Sequence, residues 1–381
     1  GNILLPARGP HERIELIFAS GTGIYTAYVD VFFMDELGMD IEDLSSVAPD
    51  PAARLTRRLP AQVTKSRKDR SKAGNGLDNS EPLVADESVP GTQAVWVKTF
   101  GCAHNQSDSE YMAGQLEAYG YQLVDESAKA DLWLVNTCTV KNPSQSAMNT
   151  LITKGGQQGK KLLVAGCVPQ GDRHAKELDG VSVIGVTQID RVVEAVEETL
   201  KGNTVHMLQK KALPRLDLPK VRRNRLVEVL PLSTGCLGAC TYCKTKHARG
   251  ELGSYAVEAL VQRVQAAIEE GVTEIWMSSE DTGAYGRDID TNLAGLLEAV
   301  LAVLPDDGRC MLRVGMTNPP FILEQLGAVA EALNHPSVFS YLHVPVQSGS
   351  DSVLSGMNRE YTVAEFEMVA DTLLAACPDL E

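Results

Sequence analysis

Three cysteines stand close together in residues 235–250, which read G-C-L-G-A-C-T-Y-C-K-T-K-H-A-R-G. Cys236, Cys240 and Cys243, which we call the loop triad, have the spacing C-x-x-x-C-x-x-C. Three thiolates at this spacing can hold three irons of a [4Fe–4S] cube and leave the fourth iron open for a small ligand. Zinc normally takes a fourth protein ligand, which His247 would supply in a Cys3His site. The spacing favours an iron–sulfur cluster, with zinc and three unrelated thiols as the alternatives.

Three further cysteines, Cys102, Cys138 and Cys167, lie far apart in the sequence but share one context. Each follows a short apolar segment with the pattern of a strand, and these segments are residues 94–100, 131–136 and 161–165. Helical patterns lie between them, and strands that alternate with helices predict a parallel sheet. Each cysteine then falls past the carboxyl end of a strand, where open α/β sheets bind ligands. We predict that this strand-end triad converges to hold a second cluster, the alternative being three buried core thiols.

The charge composition of the chain limits how it could bind a nucleic acid. The chain has 381 residues, enough for two domains, and a net charge of −15, which is a poor overall match to a nucleic acid. Basic residues concentrate in two stretches, 54–72 and 201–225, each with eight Lys or Arg and one Asp. RNA contact is therefore expected to be local, since phosphate neutralisation drives binding, and the alternative for each stretch is a solvated tail or linker. The candidate RNA contacts in the second stretch are Lys220, Arg222, Arg223 and Arg225.

The cysteines also indicate a compartment. Six of the eight fall into the two triads and no secretory signal precedes them, which favours reduced thiols inside the cell over a disulfide framework. We therefore expect a cytoplasmic protein. The longest uncharged stretch near the start, residues 16–29, is too short to span a bilayer, and no transmembrane segment is predicted.

These strings resemble a known family. The loop triad, with Tyr242 before its last cysteine, resembles the radical S-adenosylmethionine (SAM) signature, and C-T-Y-C-K-T-K-H-A-R-G is similar to the archaeal and eukaryotic tRNA methylthiotransferases that act on N6-threonylcarbamoyladenosine. The strings K-T-F-G-C-A-H-N-Q-S-D-S-E-Y-M-A-G-Q-L, N-T-C-T-V-K-N-P and A-G-C-V-P-Q resemble the amino-terminal domain of that family. The resemblance implies an auxiliary [4Fe–4S] cluster on the strand-end triad and the radical SAM [4Fe–4S] cluster on the loop triad.

The pattern and the resemblance together predict an α/β fold, in which an N-terminal parallel-sheet methylthiotransferase domain precedes a truncated radical SAM (β/α) partial barrel. The predicted organisation is a disordered or non-native tail over 1–92, the first domain over 93–200, a basic linker over 201–225 and an incomplete barrel over 226–381. One helix follows the last predicted strand, 338–345. We therefore expect a fragment without the end of the barrel, the C-terminal RNA-binding domain, or the endoplasmic reticulum membrane anchor of some eukaryotic relatives.

The implied activity is transfer of a methylthio group to C2 of N6-threonylcarbamoyladenosine next to the tRNA anticodon. An adenine C–H is barely acidic, so a 5′-deoxyadenosyl radical, formed by one-electron cleavage of SAM, would remove the hydrogen. The implied scheme has the auxiliary cluster carry the sulfur, which a second SAM methylates. Its partners are tRNA, an electron donor such as a reductase or flavoprotein, and a sulfur donor.

Candidate SAM contacts lie on loops past the predicted barrel strands. They are Glu280, Asp281, Gln347 and Ser348, and the alternative role for each is to cap a helix or stabilise a loop.

Two other functions are compatible with the triads. A methylthiotransferase acting on a protein side chain would share both, although the basic linker and K-T-K-H-A-R-G argue against it. A non-catalytic zinc or cluster scaffold that binds RNA is the other alternative.

Overall fold

The computed structural model describes residues 13–20, 23–30, 93–139 and 142–380. The chain divides into two compact units, residues 1–70 and 71–381. In the first unit, β1 (Arg13–Ser20) and β2 (Gly23–Asp30) pair in an antiparallel hairpin. Apart from this hairpin, the predicted tail 1–92, with its basic run 54–72, lies outside the described residues.

A six-stranded parallel sheet opens the described part of the second unit. Its strands are β3 (Ala94–Thr99), β4 (Gln122–Leu123), β5 (Leu132–Thr137), β6 (Lys161–Gly166), β7 (Ser182–Ile184) and β8 (His206–Met207). They lie in the order β4-β3-β5-β6-β7-β8, with every neighbouring pair parallel. All six residues of β5 are buried, which is typical of a central parallel strand. Strand β8 lies inside the predicted linker 201–225, so the sheet continues past residue 200.

The helices of this sheet are α1 (Ala103–Tyr119), α2 (Asn142–Gln157), α3 (Cys167–Gly171) and α4 (Val192–Leu200). Helix α1 is unusual because its first turns bury polar side chains, which are Asn105, Ser107, Asp108 and Glu110. Ser107 Oγ donates to Val229 O at 3.1 Å, and Val221 N donates to Glu110 O at 3.0 Å. This face of α1 therefore meets the next sheet and residues 208–226, which join the two sheets and which we call the connector, instead of solvent.

A second β/α array follows. Its strands are β9 (Val227–Pro231), β10 (Ser233–Thr234), β11 (Gly253–Ser254), β12 (Glu274–Ser278) and β13 (Met311–Arg313). Strands β13, β12 and β9 form a parallel sheet in that order, and β10 pairs antiparallel with β11. Its helices are α5 (Lys244–Arg249), α6 (Val257–Glu269), α7 (Leu293–Leu301), α8 (Pro319–Ile322), α9 (Leu326–Leu333), α10 (Asp351–Gly356) and α11 (Val363–Ala376). Among the described residues, no helix has the length and hydropathy of a membrane span.

The prediction of a strand at 338–345 is wrong. Val338 makes one isolated parallel bridge to Leu312. Beyond it, Tyr341 N donates to Phe339 O at 2.7 Å, a tight local turn that takes the backbone out of the ladder.

One hydrophobic core runs through both sheets of the second unit. Leu116 of α1 belongs to the same buried cluster as Leu230 of β9. The connector between the sheets packs tightly on α1, because a Cβ atom on Gly114 would lie 2.3 Å from Pro219 O. The two sheets are therefore held in a fixed relation by both their core and the connector.

Candidate functional site

The strand-end triad lies on one edge of the first sheet. Cys102, Cys138 and Cys167 follow β3, β5 and β6, which are neighbouring strands in parallel register. Cys138 and Cys167 are buried and Cys102 is exposed. The parallel register thus brings three loops that are distant in sequence to the same edge.

Asn105, in the first turn of α1, ties these three loops together. Its Nδ2 donates to Phe100 O and to Thr137 O, both at 2.8 Å. Its Oδ1 accepts from Cys167 Sγ at 3.7 Å. Since Phe100 precedes the Cys102 loop and Thr137 precedes Cys138, one buried amide contacts all three thiol-bearing segments.

Gly101 makes the close approach of two of these loops possible. Its φ is +109°, and a Cβ atom there would lie 2.9 Å from Cys138 Sγ. Any other residue at this position would therefore be strained and would push against the thiol.

The loop triad lies between β10 and α5. Cys236 N donates to Gly250 O at 3.2 Å, which closes the base of the loop. A Cβ atom on Gly238 would lie 3.7 Å from Cys236 Sγ and 3.8 Å from Cys240 Sγ, so the glycine leaves space between the two sulfurs. Cys243 caps α5, because its Sγ accepts from Lys246 N at 3.4 Å.

A second segment, residues 357–361, supports the loop triad from the far end of the chain. Arg359 Nη1 lies 3.2 Å from Cys240 Sγ and donates to Asn318 Oδ1 at 3.2 Å. Asn358 Nδ2 donates to Ala239 O at 2.9 Å. A shallow cleft opens here, and its lining includes Cys236, Cys240, Asn318, Phe321, Arg359 and Tyr361. We did not predict Arg359, and the available signal was a cation followed by an aromatic residue in M-N-R-E-Y.

A [4Fe–4S] cluster and a single metal ion make different demands on three thiols. Burial raises the pKa of Cys167 and of Cys236 to about 11 each, so both thiols lose a proton when they bind metal. Three thiols of a [4Fe–4S] cube bind three different irons and do not need to meet at one point. In the described part of the chain, no three His, Cys, Asp or Glu side chains are placed to hold one metal ion, and this includes the Cys3His set with His247.

Two of the predicted SAM contacts have protein partners. Glu280 Oε1 lies 3.1 Å from Arg249 Nε, and burial raises the pKa of Glu280 to about 7. Asp281 Oδ2 accepts from Asn318 Nδ2 at 2.7 Å, and Asp281 Oδ1 accepts from Thr317 Oγ1 at 3.2 Å. Both carboxylates therefore organise the loops past β12 and β13, and their contact with SAM stays a prediction.

The other two candidates lie beside the loop triad. Gln347 has a φ of +61°, and its Oε1 accepts from Tyr242 OH at 2.9 Å. Ser348 Oγ accepts from Ser350 N at 3.2 Å, which shapes its own loop. The structure thus places Gln347 next to the signature aromatic residue and leaves the role of Ser348 in SAM binding a prediction.

Arg249 lies between the two triads. Helix α5 begins after Cys243 and ends at Arg249, which is 4% exposed. Its Nη2 donates to Asn105 Oδ1 and to Asp108 Oδ2, both at 2.7 Å, and its Nε pairs with Glu280. One side chain of the loop-triad segment therefore contacts the residue that organises the strand-end triad.

Two of the predicted RNA contacts have ion-pair partners inside the protein. The side chain of Lys220 is 2% exposed and its Nζ lies 2.8 Å from Glu228 Oε1. The side chain of Arg222 is 10% exposed and its Nε lies 2.6 Å from Glu228 Oε2. Both side chains form ion pairs inside the protein because the connector packs on α1 and β9. Arg223 and Arg225 are exposed, and their contact with RNA stays a prediction.

Two family descriptions match consecutive parts of the chain. Residues 94–184 match the uncharacterized protein family UPF0004, and residues 230–379 match the Radical SAM superfamily. Among solved structures, the radical S-adenosylmethionine methyltransferase TsrM of Kitasatospora setae is 15% identical, with a TM-score of 0.52 over 76% of this chain and 66% of that chain. The cobalamin-dependent S-adenosylmethionine radical enzyme OxsB has a TM-score of 0.54 at 12% identity, over 74% of this chain and 48% of that chain. These likenesses confirm the predicted fold class.

Curated relatives share a more specific name. The threonylcarbamoyladenosine tRNA methylthiotransferases of Xenopus laevis and Homo sapiens are 52% and 51% identical, over 90% and 91% of this chain and 62% and 60% of their own length. The chain thus spans about 60% of the length of these relatives. A protein of Pyrococcus abyssi described as a probable enzyme of this type is 39% identical, over 75% of this chain and 67% of its own. The predicted family is confirmed, and the chain belongs to the radical SAM family of threonylcarbamoyladenosine tRNA methylthiotransferases.

Proposed function

We propose that this protein transfers a methylthio group to C2 of N6-threonylcarbamoyladenosine next to the anticodon of tRNA, using SAM and two [4Fe–4S] clusters. The observation that carries the proposal is the link between the triads. Helix α5 begins after Cys243 of the loop triad, and Arg249 at its end contacts Asn105, which holds the strand-end loops. A reaction that joins sulfur to a carbon radical needs both groups close together, and the names of the relatives point to the same reaction.

The loop triad is the proposed site of the radical SAM cluster. When bound, a [4Fe–4S] cluster with one open iron supplies the electron that cleaves SAM. Cys236, Cys240 and Cys243 would hold it, and the guanidinium of Arg359 beside Cys240 would offset its negative charge. The cleft lined by Arg359 and Tyr361 is the candidate site for SAM.

The strand-end triad is the proposed site of the auxiliary cluster and of the transferred sulfur. The buried Cys138 and Cys167 would hold it on the protein side, and the exposed Cys102 lies on the accessible side. The proposed partners are tRNA, with Arg223 and Arg225 as candidate contacts, an electron donor of the reductase or flavoprotein type, and a sulfur donor. The proposed compartment is the cytoplasm.

The test is mass spectrometry of tRNA nucleosides from cells that lack the protein. We expect loss of the 2-methylthio derivative of N6-threonylcarbamoyladenosine, recovery with the wild-type gene and no recovery with Cys240→Ala. Unchanged nucleosides would contradict the proposal. Loss of a methylthio group from a cellular protein in these cells, with unchanged tRNA, would favour a protein side chain as the substrate.

Metal analysis separates the enzyme from a scaffold. Protein purified without oxygen should carry roughly eight irons per chain, which is two four-iron clusters. Zinc without visible absorbance would instead favour a non-catalytic RNA-binding scaffold.

A further inference from the structure

The surroundings of Arg249 are unusual for an arginine. Its side chain is 2% exposed and lies among two carboxylates, Asp108 at 2.7 Å and Glu280 at 3.1 Å. Asp108 comes from α1 of the first sheet, and Glu280 comes from the loop after β12 of the second. The guanidinium therefore clamps together segments from both halves of the unit.

The contact with Asn105 extends this clamp to the thiols. Arg249 Nη2 donates to Asn105 Oδ1, the same oxygen that accepts from Cys167 Sγ. With its oxygen fixed in this way, the amide directs its Nδ2 toward Phe100 O and Thr137 O. The orientation of the amide, and with it the relative position of the three strand-end loops, depends on the guanidinium.

Because α5 begins after Cys243, the clamp also sets a spacing. The six residues of α5 form a short rigid rod from the last thiol of the loop triad to the guanidinium. Ala248 on this rod packs with Cys167 and Val186 in a small buried cluster. A shift of the rod would therefore move both triads relative to each other.

We propose that Arg249 is a positioning residue that fixes the strand-end triad relative to the loop triad and sets the reduction potential of the cluster held by the strand-end thiols. This rests on the proposed function above. A [4Fe–4S] cluster on three thiolates is anionic, and hydrogen bonds and nearby charge are what a protein uses to tune its potential. The arginine acts through Asn105 and through its charge, so it needs no contact with substrate.

The test compares Arg249→Lys, Arg249→Met and a matched control, Arg263→Lys, in the full-length protein loaded with iron and sulfide. Arg263 is also buried, and it pairs with Glu228 of β9 at 2.9 Å, away from any contact with Asn105 or the thiols that the structure records. Each variant is also made with Cys240→Ala, which removes a loop-triad ligand and leaves the strand-end cluster to be titrated by electron paramagnetic resonance. Iron content and circular dichroism check that each variant has folded.

In the Cys240→Ala background, we expect a more negative midpoint potential for Arg249→Met, a value nearer wild type for Arg249→Lys and no shift for Arg263→Lys. In the intact loop-triad background, both Arg249 variants should still form 5′-deoxyadenosine. Their yield of methylthio product per 5′-deoxyadenosine should fall about tenfold or more, as is typical when residues behind metal ligands change.

Unchanged potentials and unchanged product ratios in both Arg249 variants would overturn this proposal. If Arg249→Met loses its iron or its fold, the test rests on Arg249→Lys, and its midpoint potential and its methylthio product per 5′-deoxyadenosine decide the proposal. If wild-type protein modifies no tRNA, the proposed function fails, whereas the potentials of the Cys240→Ala variants still test Arg249.

Discussion

Glu228 of β9 lies at the centre of a buried charge network, and its neutralisation gives the sharpest test of the structure. Its carboxylate is fully buried and bonds with Lys220 at 2.8 Å, Arg222 at 2.6 Å and Arg263 at 2.9 Å. Lys220 and Arg222 belong to the connector, so this carboxylate anchors it to the second sheet. Glu228→Gln keeps the shape and removes the carboxylate that the three cations share, which leaves them only their ion pairs with Glu110 and Glu270.

The expected loss follows from the pKa of Glu228. Burial alone would raise this pKa, but Lys220, Arg263 and Arg222 outweigh burial and hold it at about 2, against an ordinary value of 4.5. At about 1.4 kcal/mol per tenfold change in proton affinity, the charged carboxylate contributes about 3 kcal/mol to the free energy of unfolding at pH 7. Breaking a buried ion pair typically costs 3–5 kcal/mol, which agrees.

The stability that the Glu228 carboxylate contributes should fall as the pH is lowered. Because the folded-state pKa is depressed, this stability is fully present above pH 4.5 and is lost as the pH falls toward about 2. The difference in the free energy of unfolding between wild type and Glu228→Gln should therefore be constant from pH 7 down to about pH 5.5 and become smaller below pH 4.5.

The assay is urea denaturation of the metal-free protein, in which unfolding is monitored by the fluorescence of Trp96, Trp133 and Trp276. Glu198→Gln is the matched control, because Glu198 pairs with Lys201 at 2.9 Å at the end of α4 with both side chains partly exposed, and we expect no measurable change there. A Glu228→Gln loss no larger than that of the control, or a gap that does not narrow under acid, would refute the reasoning.

Three further predictions concern the triads and the connector. Cys240→Ala should abolish 5′-deoxyadenosine formation and keep the auxiliary iron. Cys138→Ala should allow SAM cleavage without methylthio transfer. Full product formation by Cys138→Ala would show that the strand-end triad carries no sulfur. Gly101→Ala should cost about four irons per chain, because its Cβ would press on Cys138 Sγ at 2.9 Å, and an unchanged iron content would contradict this geometry. Lys220→Gln should lower the urea midpoint, because the buried side chain of Lys220 forms ion pairs with Glu110 and Glu228. Weaker tRNA binding at unchanged stability would instead favour Lys220 as an RNA contact.

Local pattern was enough to predict much of the fold. The apolar runs at residues 131–136 and 161–165 correspond to β5 and β6 almost residue for residue. Helix α11 (Val363–Ala376) follows residues 338–345, where the sequence predicts one helix, and Thr362 with Glu365 forms a capping box at its start. In each case the signal lies within about fifteen residues, where hydrophobic period and end residues act together.

The partners of charged residues were not predictable in this way. Glu280 was a candidate SAM contact and Lys220 a candidate RNA contact. Glu280 instead meets Arg249, and Lys220 meets the nearby Glu228 and also Glu110 of α1, across the contact of the two sheets. Periodicity carries no information about which cation a buried carboxylate meets, and this choice depends on how the sheets pack.

The two triads differ in what fixes their geometry. The strand-end triad is fixed by sheet register, which local pattern predicts, and by Asn105, whose amide accepts a hydrogen bond from the distant Arg249. The loop triad has little regular structure of its own and takes its shape from distant segments. Thr241 N donates to Met357 O at 3.1 Å, and Arg359 reaches Cys240 Sγ at 3.2 Å. The thiols of the loop triad are close together in sequence, yet their geometry depends on contacts with a segment more than a hundred residues later, and the spacing of the cysteines does not reveal these contacts.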